Sequence, residues 1–173
     1  ITMKKETTKH FLLWALLPLL TCTAICINSD VIAQPTLTYT PMIQNMRKPI
    51  EIKSAGDNSG RLFIAEQEGY IRIYKNGVLQ SKPFLDISNL VSLGKYKGLI
   101  SLEFAPNYKK NRTFFIYYFD KNNVATIARY RASFSNPDSA IASTGVTILQ
   151  FPPIDTGDTK ISIGNLNFGR DGY

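Results

Sequence analysis

Cysteine and histidine are nearly missing from this chain, and the few copies lie together. Cys22, Cys26 and the single histidine, His10, all precede residue 34. From Gln34 onward there is no thiol and no imidazole. Thiolate–zinc centres and Cys–His or Ser–His catalysis are therefore excluded for that stretch by residue inventory. Helical periodicity is lacking there too: no window repeats its apolar residues at three- and four-residue spacing. Acid is in modest deficit, with 17 Lys and Arg against 11 Asp and Glu from Gln34 on, but the basic residues are dispersed. Adjacent pairs occur only at Arg47-Lys48 and Lys109-Lys110. Such scatter reads as a solvated surface, so no nucleic-acid partner is expected.

The N-terminus has a different composition. Lys4, Lys5 and Lys9 precede an apolar run over residues 11–27, and Val31-Ile32-Ala33 places small or apolar residues before Gln34. That three-part pattern predicts a signal peptide over residues 1–33, starting at Met3 and cleaved before Gln34. A retained anchor fits less well, because the 17-residue run sits at the lower limit for spanning and Pro18 interrupts it. A lipidated Cys22 is disfavoured by Thr21 before it. The expected location is secreted or periplasmic, with no membrane association after cleavage.

Three times the chain runs an apolar strand into a Gly/Asp/Asn turn and out into an aromatic strand. The first copy spans residues 50–65 around Gly56-Asp57-Asn58-Ser59-Gly60, and the second spans residues 99–118 around Pro106 to Asn111. The third begins at Ile163 and reaches Tyr173 as the first residue of its second strand. Ala55 to Ala105 is 50 residues, and Ala105 to Gly169 is 64. Periods of about 40–50 residues with several strands each are the mark of propeller blades, whose small sheets bury their faces against one another. The expected fold is an all-β propeller, present as two blades and the start of a third, and the chain is expected to be the N-terminal part of a longer protein.

Within each copy the strands are legible. Residues 61–66 and 70–75 predict strands joined by Gln67-Glu68-Gly69, with Ile71 and Ile73 on one face and Arg72 on the other. Asn76-Gly77 signals a type I′ hairpin into residues 78–80. Residues 82–87 close the unit at an edge where Pro83 is tolerated. Residues 112–119 and 124–131 predict a second hairpin, residues 133–144 a polar loop, and residues 146–151 another strand. Residues 34–49 read as an extended leader packed on the outside.

One ordered set of motifs carries a family resemblance. It comprises Gly56-Asp57-Asn58-Ser59-Gly60-Arg61-Leu62-Phe63-Ile64-Ala65-Glu66, Pro83-Phe84-Leu85-Asp86-Ile87, Gly98-Leu99-Ile100, Phe104-Ala105-Pro106-Asn107-Tyr108, Ala128-Arg129-Tyr130 and Phe168-Gly169-Arg170-Asp171-Gly172-Tyr173. In this order and spacing the segment from about Ile50 to Tyr173 resembles the N-terminal part of the soluble quinoprotein sugar dehydrogenases, the glucose/sorbosone dehydrogenase family. The resemblance implies a six-bladed propeller that oxidises aldose sugars, with pyrroloquinoline quinone (PQQ) and substrate at the mouth of the central channel and calcium supporting the cofactor. A histidine base would take the C1 hydroxyl proton while hydride passes to the quinone.

Carried over position by position, the site residues are absent. Counting back from Phe168, the family's His-Asn-Gly-Gly falls on Ile161, Ser162, Ile163 and Gly164. Isoleucine cannot accept a proton. The polar residue two before Gly-Leu-Leu falls on Tyr96, and the His of Phe-His-Pro is Ala105. No catalytic residue and no metal ligand is assigned. Tyr96, Lys97 and Asp158 are the cofactor-binding candidates. Asp155-Thr156-Gly157-Asp158-Thr159 beside Lys160 otherwise reads as a solvated turn. PQQ and calcium are thus implied by resemblance without support from these residues. Loss of a site with retention of its scaffold suits a non-catalytic relative, so a propeller binding a carbohydrate or a protein partner is the alternative to a working dehydrogenase.

Overall fold

The computed structural model describes residues 36–151 and 164–172. The expected signal peptide, and with it Asp155, Asp158, Lys160 and Ile161, lie outside the described residues. Two compact units divide the chain, residues 1–40 and 41–173. In the first, the described residues 36–40 are exposed and carry no strand. The second holds two antiparallel sheets.

The first sheet orders β1 (Pro49–Ser54), β2 (Leu62–Glu66), β3 (Tyr70–Lys75) and β4 (Val78–Leu79) side by side, while β5 (Leu85–Asp86) also pairs with β3. β4 takes Tyr74 and Lys75, and β5 takes Tyr70 and Ile71. The two short pieces therefore make one outer strand with residues 81–83 looped out between them, the Gln80 amide donating to Ile73 O at 2.8 Å before the loop. The Phe84 amide resumes the pairing by donating to Ile71 O at 2.7 Å. Asn76 (φ 53°) and Gly77 (φ 80°) make the left-handed pair that a type I′ hairpin demands.

The second sheet orders β6 (Leu99–Phe104), β7 (Thr113–Phe119), β8 (Ala125–Ala132) and β9 (Ala140–Phe151). A single-turn helix, α1 (Tyr108–Asn111), sits in the β6–β7 connection. β9 begins inside the expected polar loop of residues 133–144. The Ala140 amide donates to Phe84 O of the first sheet at 2.7 Å, and the Arg131 amide donates to Thr144 Oγ1 at 3.0 Å. These bonds extend the strand through residues too polar to signal it.

The core lies between the sheets. Phe63, Ala65, Ile71 and Phe84 of the first meet Leu102, Phe104, Phe114 and Ile116 of the second. Phe63 lies 4.6 Å from Phe104 and 4.9 Å from Phe84, centroid to centroid, and Phe104 lies 4.6 Å from Tyr108. Such pairs contribute about 0.5–1.5 kcal/mol each beyond burial. Burial of the Tyr130 hydroxyl at the far side of this core pushes its pKa up to about 12.

The two sheets repeat even in their irregularities. β1 and β2 slip register between Pro49 and Glu51, and β6 and β7 slip between Leu99 and Ser101. Those positions are 50 residues apart, the offset of Ala55 and Ala105. A bulge at the start of each first strand re-aims the side chain that follows it. Just before β6, Gly98 holds φ +105°, and a Cβ there would run into the Gln67 carbonyl oxygen and Cγ. Gly98→Ala is expected to cost about 1–3 kcal/mol of stability through backbone strain. Thermal unfolding reads this, and an unchanged Tm overturns it.

Candidate functional site

β1 and β6 are the first strands of their sheets, each with one edge left unpaired within its own sheet, and polar side chains gather along those edges. Glu51 Oε2 accepts the Leu102 amide at 2.6 Å and the Ser101 hydroxyl at 3.0 Å. Ser101 Oγ in turn accepts the Leu166 amide at 2.9 Å. Lys53 Nζ donates to Glu103 Oε2 and, at 3.1 Å, to Asn167 Oδ1, and lies 3.4 Å from Glu51 Oε1. Burial works against the Lys53 charge, but the Glu103 hydrogen bond and the Glu51 carboxylate outweigh it and raise its pKa above the ordinary lysine value.

Superposing the three copies on Ala55, Ala105 and Gly169 turns this cluster into a rule. Lys53, Glu103 and Asn167 occupy one position, and Glu51, Ser101 and Asn165 another. The side chain at the second position of one copy accepts the edge amide of the next, Leu102 for Glu51 and Leu166 for Ser101. Phe168 meets Phe115 at 5.6 Å as Phe104 meets Phe63. The third copy therefore begins in register with the first two. Glu51→Ala leaves the Leu102 N–H unpaired and is expected to cost about 1–3 kcal/mol. Glu51→Gln retains an acceptor and costs less. Amide exchange at Leu102 distinguishes them, and equal protection in both variants would sink the assignment.

The end of the sheets at which β6 begins carries the sequence candidates. Tyr96 is 42% exposed, with Lys95 Nζ 5.4 Å from its ring centroid. Lys97 Nζ donates to Asn123 Oδ1 at 2.8 Å. Gln67, in the β2–β3 turn, donates its amide to Gly94 O at 2.9 Å and Lys97 O at 2.8 Å. Tyr96 and Lys97 are thus brought together on a rim built from residues 67–69, 94–98 and 120–123, whereas Asp158 is outside the described residues. Among the described residues, no group of three or more His, Cys, Asp or Glu gathers to hold a metal. The described residues therefore offer no ligand set for the implied calcium, and Tyr96 with Lys97 are two side chains of a rim rather than a complete seat for PQQ.

At the opposite end a groove of about 480 Å³ opens between Pro106, Asn107, Phe115, Arg129, Phe168 and Asp171. One repeat earlier the corresponding place, beside Phe63 and Phe104, is filled by Tyr108. By that equivalence the groove is a packing seat between sheets. The cluster along the β1 and β6 edges is not apparent from the strand pattern, although the 50-residue offset that pairs Ala55 with Ala105 also pairs Lys53 with Glu103.

The comparisons agree with this architecture. The family described as glucose/sorbosone dehydrogenase matches residues 46–173. Hedgehog-interacting protein of Mus musculus is 33% identical over 151 residues, covering 79% of this chain and 21% of that protein. The chain thus spans about a fifth of the length of the curated relatives it matches. Among solved structures, a putative oxidoreductase (glucose dehydrogenase) from Thermus thermophilus is similar with TM-score 0.60 at 21% identity, over 73% of this chain and 35% of that one. The PQQ-bound aldose sugar dehydrogenase of Streptomyces coelicolor gives TM-score 0.53 at 15% identity, over 64% and 32%. These structural likenesses establish the fold: all-β, in the manner of the propeller sugar dehydrogenases. Among the described residues no helix is long and apolar enough to cross a membrane.

Proposed function

We propose a function from this premise: the chain belongs to the glucose/sorbosone dehydrogenase family. It contributes the first blades of an exported, sugar-dehydrogenase-like propeller that binds its ligand at the rim around Tyr96 and lacks the family's proton-abstracting base. The base position carries this reading. Counting back from Phe168 puts Ile161 where the family has histidine, and no histidine follows His10. An alkyl side chain has no lone pair, so the C1 hydroxyl proton of an aldose has no acceptor there.

When bound in the family, PQQ supplies the hydride acceptor, with calcium in support. The Streptomyces coelicolor neighbour is PQQ-bound, which supports such a site by resemblance. In this chain the polar side chains of the inner edges, Glu51, Lys53, Ser101, Glu103 and Asn167, are engaged with one another or with edge amides. Their work is to hold consecutive copies in register. The intact natural protein carrying this segment, supplied with PQQ, calcium and glucose or another aldose, is expected to reduce dye near the background rate. Family-level turnover overturns the proposal.

A second reading, a propeller that binds a protein partner, is favoured by the 33% identity with Hedgehog-interacting protein over most of this chain. That relative is named for binding Hedgehog. Interferometry with a purified Hedgehog protein tests the reading, and absence of binding removes that partner.

A further inference from the structure

We propose that the rim around Tyr96 binds an acidic saccharide, which rests on and deepens the ligand-binding reading above. The rim is pre-built. Val91 is buried and bridges Asp120, and the Ser92 amide donates to Phe119 O at 2.9 Å. Lys121 Nζ donates to Val91 O at 2.6 Å, and Gln67 fastens Gly94 and Lys97 from the neighbouring turn. A surface loop tied at both ends keeps its side chains displayed, so a ligand meets them with little ordering left to do.

The displayed chemistry is cationic and aromatic. Lys95 and Lys97 flank Tyr96 in the chain, Lys121 joins the same loop through Val91, and among the described residues none of the three forms an ion pair with a carboxylate. The carboxylates of the same end form no ion pair with these lysines. Glu68 pairs with Arg47 and Lys48 at 4.0 and 3.8 Å. Asp120 accepts the Asn122 and Val124 amides at 2.8 and 2.9 Å, and Asp86 accepts the Ser88 amide and hydroxyl at 3.0 and 2.7 Å. A half-exposed tyrosine ring offers an apolar face on which a sugar ring can lie. The exposed Asn122 amide and the Asn123 NH2, whose oxygen accepts Lys97, suit hydroxyl groups. Lysines left without carboxylates complement the uronate or sulfate of an acidic sugar.

The probe is polygalacturonate, with neutral dextran and poly-glutamate beside it, run against the intact natural protein by affinity electrophoresis in native gels. Retention by polygalacturonate alone is expected. The paired change Lys95→Glu with Lys97→Glu should weaken it by about tenfold or more, the scale on which a focused charge raises local ligand concentration. Tyr96→Ala, which leaves the charge unchanged, should weaken it several-fold. Lys109→Glu with Lys110→Glu alters α1, which lies at the other end of the sheets, and should leave retention unchanged. Equal loss from the two lysine pairs, or no loss from Tyr96→Ala, would reduce the effect to general polyanion attraction and overturn the proposal. Poly-glutamate retained as strongly would transfer the rim to an acidic protein, and equal retention by dextran would remove the charge requirement. Each outcome is independent of dye reduction, so failure here leaves the missing-base reading standing.

Discussion

Replacing Arg61 with methionine is expected to lower the unfolding free energy by about 1–3 kcal/mol, because it removes the buried guanidinium that joins Asp57 to Asp138 and leaves Asp57 only the more distant Arg112, 3.9 Å away. Arg61 is 2% exposed. Its guanidinium donates to Asp57 Oδ2 at 2.6 Å, to Asp138 Oδ1 at 2.9 Å and to the Pro137 carbonyl. It therefore ties the β1–β2 turn of the first sheet to the β8–β9 connection of the second, while its flat face lies 5.0 Å from the Phe63 centroid. Lys75 reaches the same Asp138 at 3.2 Å. Burial pushes the Asp57 carboxyl up, but hydrogen bonds from Ser59 and Arg61 outweigh it and hold the pKa below the ordinary value.

The pH dependence follows from that direction. With the folded pKa below the unfolded one, the stabilisation from Asp57 is complete above the ordinary carboxylate range and is lost as pH falls through the folded value. Without Arg61 the carboxyl keeps its Ser59 hydrogen bonds but loses its bonded guanidinium, and burial moves its pKa back up. The deficit of Arg61→Met should then be largest at neutral pH and shrink in acid, and adding Asp57→Asn should recover part of it. Urea unfolding of the intact natural protein at several pH values measures both effects. A neutral-pH deficit under about 1 kcal/mol, the range of an exposed ion pair, would show that the bridge is idle.

The strands were legible because each announces itself locally. Ile71 and Ile73 alternate with Arg72, and Asn76-Gly77 forces the hairpin. The start of β9 was not, since Ala140-Ile141-Ala142-Ser143-Thr144 is held by bonds to β8 and to Phe84, partners distant in sequence. The return strand at residues 78–80 and the closing segment at 82–87 were both expected, and they appear as β4 and β5; that both pair with β3 as one outer strand shows only in the structure. Site residues divide in the same way. Tyr96 and Lys97 could be named from their place before Gly98, yet their anchoring by Gln67 and Asn123 depends on turns that meet only in space. Glu51 and Lys53 look like the solvated face of an edge strand. They become a latch only because the next copy presents an unpaired amide at Leu102 and a carboxylate at Glu103.

The largest expected effect concerns the base. A positioned general base contributes about 10²–10⁴-fold to such a reaction, so with Ile161 in its place dye reduction by aldoses should fall below family rates by that factor. Five to seven residues further on, Leu166 joins Ser101, Asn167 joins Lys53 and Phe168 packs on Phe115, all in the register of the earlier copies. Restoring the base therefore recovers rate only where the blades beyond this segment hold the quinone, since Tyr96 and Ala105 also stand at altered family positions. Ile161→His in the intact natural protein, given PQQ, calcium and glucose, should, if the later blades keep their cofactor residues, recover measurable turnover with a pH profile rising through the range where imidazole loses its proton, since the neutral form is the acceptor. Recovery without that pH dependence would assign the rate to some other group. Recovery absent altogether, with PQQ binding intact by absorbance, would mean that residue 161 does not stand at the base position, and the alignment from Phe168 back would be wrong. Were PQQ binding absent as well, the loss would extend beyond the base to the cofactor seat, and the natural protein would be a binding propeller that one substitution cannot return to catalysis.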